Sequence, residues 1–267
     1  MIRNAVLTMA GILTLQAGAA EGQRVTTLTV AASMEPVPSL APLLPLASIQ
    51  PSTRSPTSIR WYHGLAALGV LALTTTLDEP VEEQIQSNRT DGKDDAAYVF
   101  RQLGEPEVFL PVTLAPVAVG LISGNDEILR AGGRIGFSIL TASVVTSLLK
   151  PLVGRARPAN TENAYEFDPF SGNDAWPSGH TTVAFALATS VGDEIGSTPV
   201  SVVLYAAAGL TGWSRMNDNR HWLTDVLTGA AVGVTSAKLM NGKWKVFGIG
   251  QPRFLASPAG VGVGLSW

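Results

Sequence analysis

The chain of 267 residues contains no cysteine. That excludes disulfides, thiolate nucleophiles and thiolate metal sites, and it leaves the redox compartment undetermined. Histidine is scarce too, with only His63, His180 and His221. Neither sign of charge dominates: a formal net charge of −3 gives no general attraction to nucleic acid. No internal repeat is evident, and the apolar segments run 11 to 17 residues, short of the ~20 that a bilayer span needs. Mean hydropathy of +0.23 is high for a soluble protein and low for a polytopic one, so composition alone does not decide membrane association.

What is present divides into four stretches. Met1 to about Ala20 has the parts of a secretory signal: Arg3, an apolar run from Ala5 to Leu15, and the small residues Ala17 to Ala20. It is expected to be cleaved on export. Residues 21–59 carry six prolines among Ser, Thr and Ala with no sustained period, which predicts an irregular arm. Residues 60–243 hold six apolar segments of helical length: Trp61–Leu77, Val108–Ser123, Ile135–Leu149, Thr181–Val191, Val200–Trp213 and Val226–Met240. Between the first two, Asp78 to Arg101 is acidic and polar and reads as a solvated connection with room for a short helix. In 244–267, Val261, Val263, Leu265 and Trp267 alternate with glycine and serine, the period of a strand, and Val246–Ile249 is its expected partner in a small hairpin. The expected fold is all-α, an antiparallel bundle of about six helices with a small C-terminal β-hairpin.

Chemistry concentrates between Lys150 and Asp225. One cluster runs Lys150-Pro-Leu-Val-Gly-Arg-Ala-Arg157-Pro158, a second is Pro177-Ser178-Gly179-His180, and a third is Ser214-Arg215, then His221, then Asp225. Proline after Lys150 disfavours helical geometry there and is expected to end the third helix at that residue. Ser178 and Gly179 suit the start of the fourth. Because the fourth helix runs away and the fifth returns, antiparallel packing brings all three clusters to one end.

Charge assigns the roles. A phosphate monoester carries up to two negative charges, which Arg157 and Arg215 can hold through planar forks while Lys150 adds a point charge. Backbone N–H groups at Ser178, Gly179 and His180 add the anion site of a helix N-terminus. His221 and Asp225 are four apart, so on a helix the carboxylate can orient and polarise the imidazole, as for an activated nucleophile or base. His180, on another helix start, can protonate a leaving oxygen. Arg155 and Arg220 read equally well as helix-end decoration, and His63, within an apolar helix, as structural. Glu166, Asp168 and Asp174 read as solvated loop acids rather than magnesium ligands. With the cations already in place, no metal and no cofactor is expected.

Lys-x6-Arg-Pro, PSGH and Ser-Arg-x5-His-x3-Asp together resemble the three-part signature of the type 2 phosphatidic acid phosphatase and vanadium haloperoxidase superfamily. The resemblance implies that Lys150, Arg157, Ser178, Gly179 and Arg215 bind phosphate. It implies that His180 is the acid, His221 a nucleophile that forms a phosphohistidine, and Asp225 its partner. The family's helical bundle agrees with the six segments.

The function expected is metal-independent hydrolysis of phosphate monoesters, lipid or soluble. The alternatives are vanadate-dependent halide oxidation, lipid pyrophosphate hydrolysis, and a non-catalytic anion-binding module. The last fits less well, because binding alone does not need two histidines and Asp225. A cleaved leader followed by three spans would leave the site facing the cytoplasm, so the short apolar segments favour a periplasmic bundle in contact with a membrane. The partner is a phosphate ester, not nucleic acid; oligomeric state is not encoded in any readable feature.

Overall fold

The computed structural model describes residues 12–20, 23–31, 55–257 and 260–266, with side chains described from 55 to 252. The start of the expected leader, residues 1–11, and most of the proline-rich arm, residues 32–54, lie outside the described residues.

Six helical segments follow one another, the first two each divided by a short tight turn. Helices α1 (Trp61–Thr74) and α2 (Asp78–Ser87) meet at Thr75–Leu77, and α3 (Asp91–Arg101) and α4 (Pro106–Ser123) meet at Gln102–Gly104. Then come α5 (Asp126–Val153), α6 (Gly179–Ile195), α7 (Thr198–Asn217) and α8 (Leu223–Met240). The acidic stretch after Leu77 is thus mostly helix rather than a solvated connection. Thr90 accepts from the Lys93 N–H to start α3, with Asp91 and Asp94 favourably placed in its first turn.

Helix α5 is longer than expected at both ends. Asn125 caps it by accepting from the N–H groups of Glu127 and Ile128, and it stops at Gly154 in the left-handed conformation. Pro151 does not end the helix at Lys150. It sits in the last turn, where the chain is about to leave the helix and its missing N–H and the strain at Lys150 cost least. Lys150 therefore stands one turn inside the C-terminus.

The core is small and central. Helix α6 lies among α5, α7 and α8, and its buried residues are mostly Thr, Ala, Ser and Gly. Small side chains let backbones approach: a Cβ on Gly233 of α8 would fall 2.4 Å from the Thr182 carbonyl oxygen of α6. Ile135, Ile139 and Ala142 of α5 meet Val183 and Ala186, while Ala208 of α7 meets Ala184 and Ala188.

The periphery is the opposite. Helix α1 buries no residue, and Leu65, Leu68, Val70 and Leu73 are exposed along it. Leu114, Val119, Leu121 and Ile122 of α4 and Leu140, Val144, Leu148 and Leu152 of α5 are exposed as well. Burying one such side chain contributes about 1.5–3 kcal/mol, so a surface this apolar forgoes much stabilisation if it ends in water. Two segments, Asp91–Ser123 and Asp126–Val153, are long and apolar enough to cross a membrane by length and composition. The sequence pattern hid the first by splitting it at Gln102–Glu105.

Two sheets complete the chain. Strand β3 (Thr57–Ile59) pairs in parallel with β4 (Trp244–Val246). A four-stranded sheet has the order β1 (Ile12–Ala20), β2 (Gln23–Ala31), β6 (Gly260–Ser266), β5 (Arg253–Ser257). The hairpin partner of β6 is β5, not Val246–Ile249, which closes on itself through Phe247 and Gly248 at positive φ. Within the expected irregular arm, Gln23–Ala31 is a strand, in keeping with its run of Val and Thr.

Candidate active site

Antiparallel packing brings the three clusters to one end of the bundle. Lys150 lies in the last turn of α5 and Arg157 in the loop that follows. Ser178 and Gly179 open α6, Arg215 lies in the last turn of α7, His221 precedes α8, and Asp225 is in its first turn. The Ser178 N–H donates to the Asp225 carbonyl at 3.0 Å, which joins the second cluster to the third directly. Arg157, His180 and Arg215 line a cavity of about 590 Å³ together with Arg101, Glu105 and Arg220. His221, 4% exposed, is packed beneath them.

His221 is held by the backbone. Its Nδ1 is 2.7 Å from the Ala175 carbonyl oxygen, and a carbonyl can only accept, so Nδ1 carries the proton and Nε2 bears the lone pair. Asp225, the expected partner, lies 3.6 Å from Nδ1, too far for a hydrogen bond. Its oxygens are engaged elsewhere: Oδ1 accepts from Arg155 at 2.7 Å and Oδ2 from the Trp222 N–H at 2.9 Å. Asp225 therefore acts on His221 as a nearby negative charge and as the start of α8. Burial pushes the imidazole below its ordinary range, which Asp225 partly offsets, so His221 is neutral near pH 7.

Behind Asp225 stands a buried charge network that sequence patterning did not reveal. Arg155, 1% exposed, bridges Asp225 and Asp78, and its Nη2 to Asp78 Oδ2 distance is 2.6 Å. It also donates to Thr224 Oγ1 and to the Ala164 carbonyl. Asp78, fully buried at the start of α2, accepts from the Thr224 N–H at 2.8 Å. Arg155 is thus no decoration, and Asp78, placed by sequence in a solvated stretch, is a structural anion 147 residues before Asp225. One arginine between two aspartates leaves the group net negative next to His221, which favours positive charge developing there.

The cations expected to bind phosphate are paired with carboxylates of the protein. Arg157 is bidentate to Asp174 through Nε and Nη2, both at 2.8 Å, and Lys150 donates to the Asp174 carbonyl with Oδ2 3.9 Å away. Asp174 was read as a solvated loop acid; its carboxylate stands where a planar anion can be held. Its burial works against ionisation, but the bond to Arg157 and the charges of Lys150 and Arg157 hold it below the usual carboxylate range. Glu166 and Asp168 are turned to backbone roles: their carbonyl oxygens accept from Ala156 and Ser171. Arg215 donates to Asp218 at 2.8 Å, while its buried Nε lacks a partner among the described residues.

At the start of α6 the N-terminal donors are fewer than expected. The Ser178 N–H is taken by Asp225, and the Ser178 hydroxyl accepts from Thr181 at 2.9 Å, so Gly179 and His180 supply the free N–H groups. The His180 Nε2 is 2.9 Å from Glu105 Oε1. Burial lowers the affinity of His180 for its proton, and Glu105 partly restores it. His63, exposed rather than buried, accepts the Arg60 N–H at the first turn of α1, which remains a structural role.

The arrangement offers cations at Arg157, Lys150 and Arg215 for an anion, an imidazole lone pair on His221 Nε2, and a second imidazole, His180, lining the cavity. A family model described as the PAP2 superfamily matches residues 131–245. A lipid A 1-phosphatase of Porphyromonas gingivalis is 44% identical over 93 residues, which are 34% of this chain and 18% of that protein. A lipid A 1-phosphatase of Rhizobium johnstonii is 32% identical over 113 residues, 38% of this chain and 43% of that protein. The chain thus spans less than half the length of these curated relatives. The crystal structure of a transmembrane PAP2-type phosphatidylglycerolphosphate phosphatase from Bacillus subtilis is similar in fold, with a TM-score of 0.55 and 21% identity over 67% of this chain and 92% of that one.

Proposed function

We propose, from the premise that residues 131–245 of this chain belong to the PAP2 superfamily, that the protein is a membrane-associated phosphatase of lipid phosphate monoesters. Phosphate oxygens replace Asp174 and Asp218 as partners of Arg157, Lys150 and Arg215, and also accept from the Gly179 and His180 N–H groups at the start of α6. The His221 Nε2 attacks phosphorus, a P–N bond forms, and the P–O bond to the leaving group breaks. His180 gives that oxygen its proton. A water then attacks the phosphohistidine, losing its proton to His180, and His221 leaves with its lone pair restored. Arg155 and Asp78 hold Asp225 near the cationic imidazole throughout. The cations supply the electrostatic stabilisation for which other phosphatases use metal ions.

The observation that carries this reading is the His221 tautomer: the Ala175 carbonyl holds the Nδ1 proton, which leaves the lone pair on Nε2, with Lys150 and Arg215 near enough to act on the ring. A lipid substrate is favoured by the exposed apolar faces of α1, α4 and α5, and by resemblance to the lipid A 1-phosphatases. The leader-like segment at Met1–Ala20 supports a site on the periplasmic side. Quenching wild type with labelled lipid phosphate should trap an acid-labile protein phosphate that His221→Ala lacks. A labelled His221→Ala protein would sink the nucleophile. Faster release from short soluble esters than from long-chain ones would overturn the lipid assignment. Fractionation with protease protection tests the side: digestion of the active-site end only after inner-membrane rupture would reject the periplasmic placement.

A further inference from the structure

The turn between α3 and α4 is built against His180. A Cβ on Gly104 would lie 2.7 Å from the His180 Cβ and 2.8 Å from its Cα, so only glycine lets this turn meet the start of α6. The next residue, Glu105, has extended geometry (φ −89°, ψ 148°) at the N-cap of α4, and Pro106 after it disfavours a helical alternative. An acid at an N-cap ordinarily accepts from its own helix. Glu105 makes no such side-chain cap, and its carboxylate bonds to His180 at 2.9 Å instead.

The surroundings make that choice consequential. Arg215 of α7 and Lys150 of α5 both act against a positive charge on His180. Arg101 and Arg157 line the same cavity. Of the acids there, Asp218 is paired with Arg215 and Arg101, and Glu107 has no bond to His180. Asp225 of α8 is engaged with Arg155 and Trp222. Glu105 alone among the described residues bonds to the His180 ring.

We propose that Glu105 is a positioning residue for the general acid: it holds the His180 Nε2 proton, directs Nδ1 at the leaving oxygen, and keeps the imidazolium available for transfer. The assignment rests on the phosphatase reading above. In the first step the Nδ1–H bond breaks as the leaving oxygen takes its proton, and the electron pair stays on Nδ1. In the second, Nδ1 takes the proton of the attacking water. The charge of Glu105 supports the imidazolium at each end of the cycle and does not itself transfer.

Glu105→Gln preserves shape and removes the charge. On an alkyl phosphate, whose leaving group needs protonation, kcat should fall about 10-fold or more, with the alkaline limb of the pH profile moved to lower pH. The burst of nitrophenolate from p-nitrophenyl phosphate should be nearly unchanged. In a His180→Ala background the same change should have no further effect on the alkyl ester. Equal loss on both esters with an unmoved pH profile, or an additive effect in the His180→Ala background, would overturn the proposal. NMR of 15N-labelled imidazole reads the pairing without turnover: His180 should lose its Nε2–H preference and titrate lower in Glu105→Gln, and an unchanged titration would also overturn it. Absence of phosphate release by wild type from either ester would sink the phosphatase reading instead, with the NMR shift intact.

Discussion

The two active-site histidines are held in opposite ways. His221 is fixed to a backbone carbonyl and backed by Asp225, Arg155, Thr224 and Asp78, all 0–2% exposed. His180 has one side-chain partner, Glu105, whose side chain is 36% exposed. The group whose lone pair must point one way is enclosed by a network with several bonds per member. His180, the proposed proton donor, is left partly exposed with a single carboxylate. Enclosure gives orientation; a lone, half-exposed partner gives a proton affinity that can be set.

The largest way to break this contrast is to remove the enclosed ring. His221→Ala should lower kcat on any ester by on the order of 10⁴-fold or more, whereas His180→Ala should spare the nitrophenyl ester. A comparable loss for both variants on both esters, measured by phosphate release, would erase the distinction. Next is the network itself. Arg155→Met leaves Asp78 and Asp225 buried without their cation, and breaking such a pair costs about 3–5 kcal/mol, so thermal unfolding in detergent should show a large drop in Tm. Surface pairs such as Arg89–Asp94, at 2.7 Å with both side chains near 40% exposed, should change Tm little when broken. A stability loss no greater for Arg155→Met would show the network to be dispensable.

A smaller effect concerns pH. Burial lowers the His221 pKa, so the unfolded chain protonates at this position before the folded one as pH falls. Stability from this group is present above the ordinary histidine range and is lost as pH falls through it. Attack by neutral His221, however, should continue below that range, until the folded imidazole itself takes a proton. An acidic limb of kcat/KM lying at or above the ordinary histidine value would contradict this. Smaller again is Asp174→Asn, which removes the anion from between Arg157 and Lys150 and should lower the Ki of inorganic phosphate a few-fold. A raised Ki would mean that Asp174 positions Arg157 rather than competing with substrate. The smallest effect is the removal of divalent ions, which should leave turnover unchanged; activity lost to a chelator and restored by Mg²⁺ would show that the cations are insufficient.

The three clusters were legible because each sits at a helix end and their order, with antiparallel packing, fixes where they meet. Lys150, Arg157, Ser178, Gly179, His180, Arg215, His221 and Asp225 could all be named from spacing. Their partners could not. Asp78 follows an apolar segment and precedes other acids, so nothing local separates a fully buried anion from a solvated one. Glu105 and Asp174 act through contacts 75 and 17 residues away in sequence. The distance between Asp225 and His221 depends on what else Asp225 binds, which four-residue spacing does not reveal. Helical length was understated where proline or charge interrupted the apolar period, as at Pro151 and at Asp126–Arg134 of α5, because packing outweighs one unfavourable residue.

The segment from Asp91 to Ser123 has a further consequence. One end carries acids and bonds to buried Asn217 and Thr211 of α7, the other is apolar and exposed, and Glu105 sits at the junction. Gly104 meets the His180 backbone and Glu105 leads directly into α4, so a shift of α4 against α6 would move the carboxylate relative to the ring. An apolar surface that pulled on the exposed face of α4 would thus be felt at the His180–Glu105 pair.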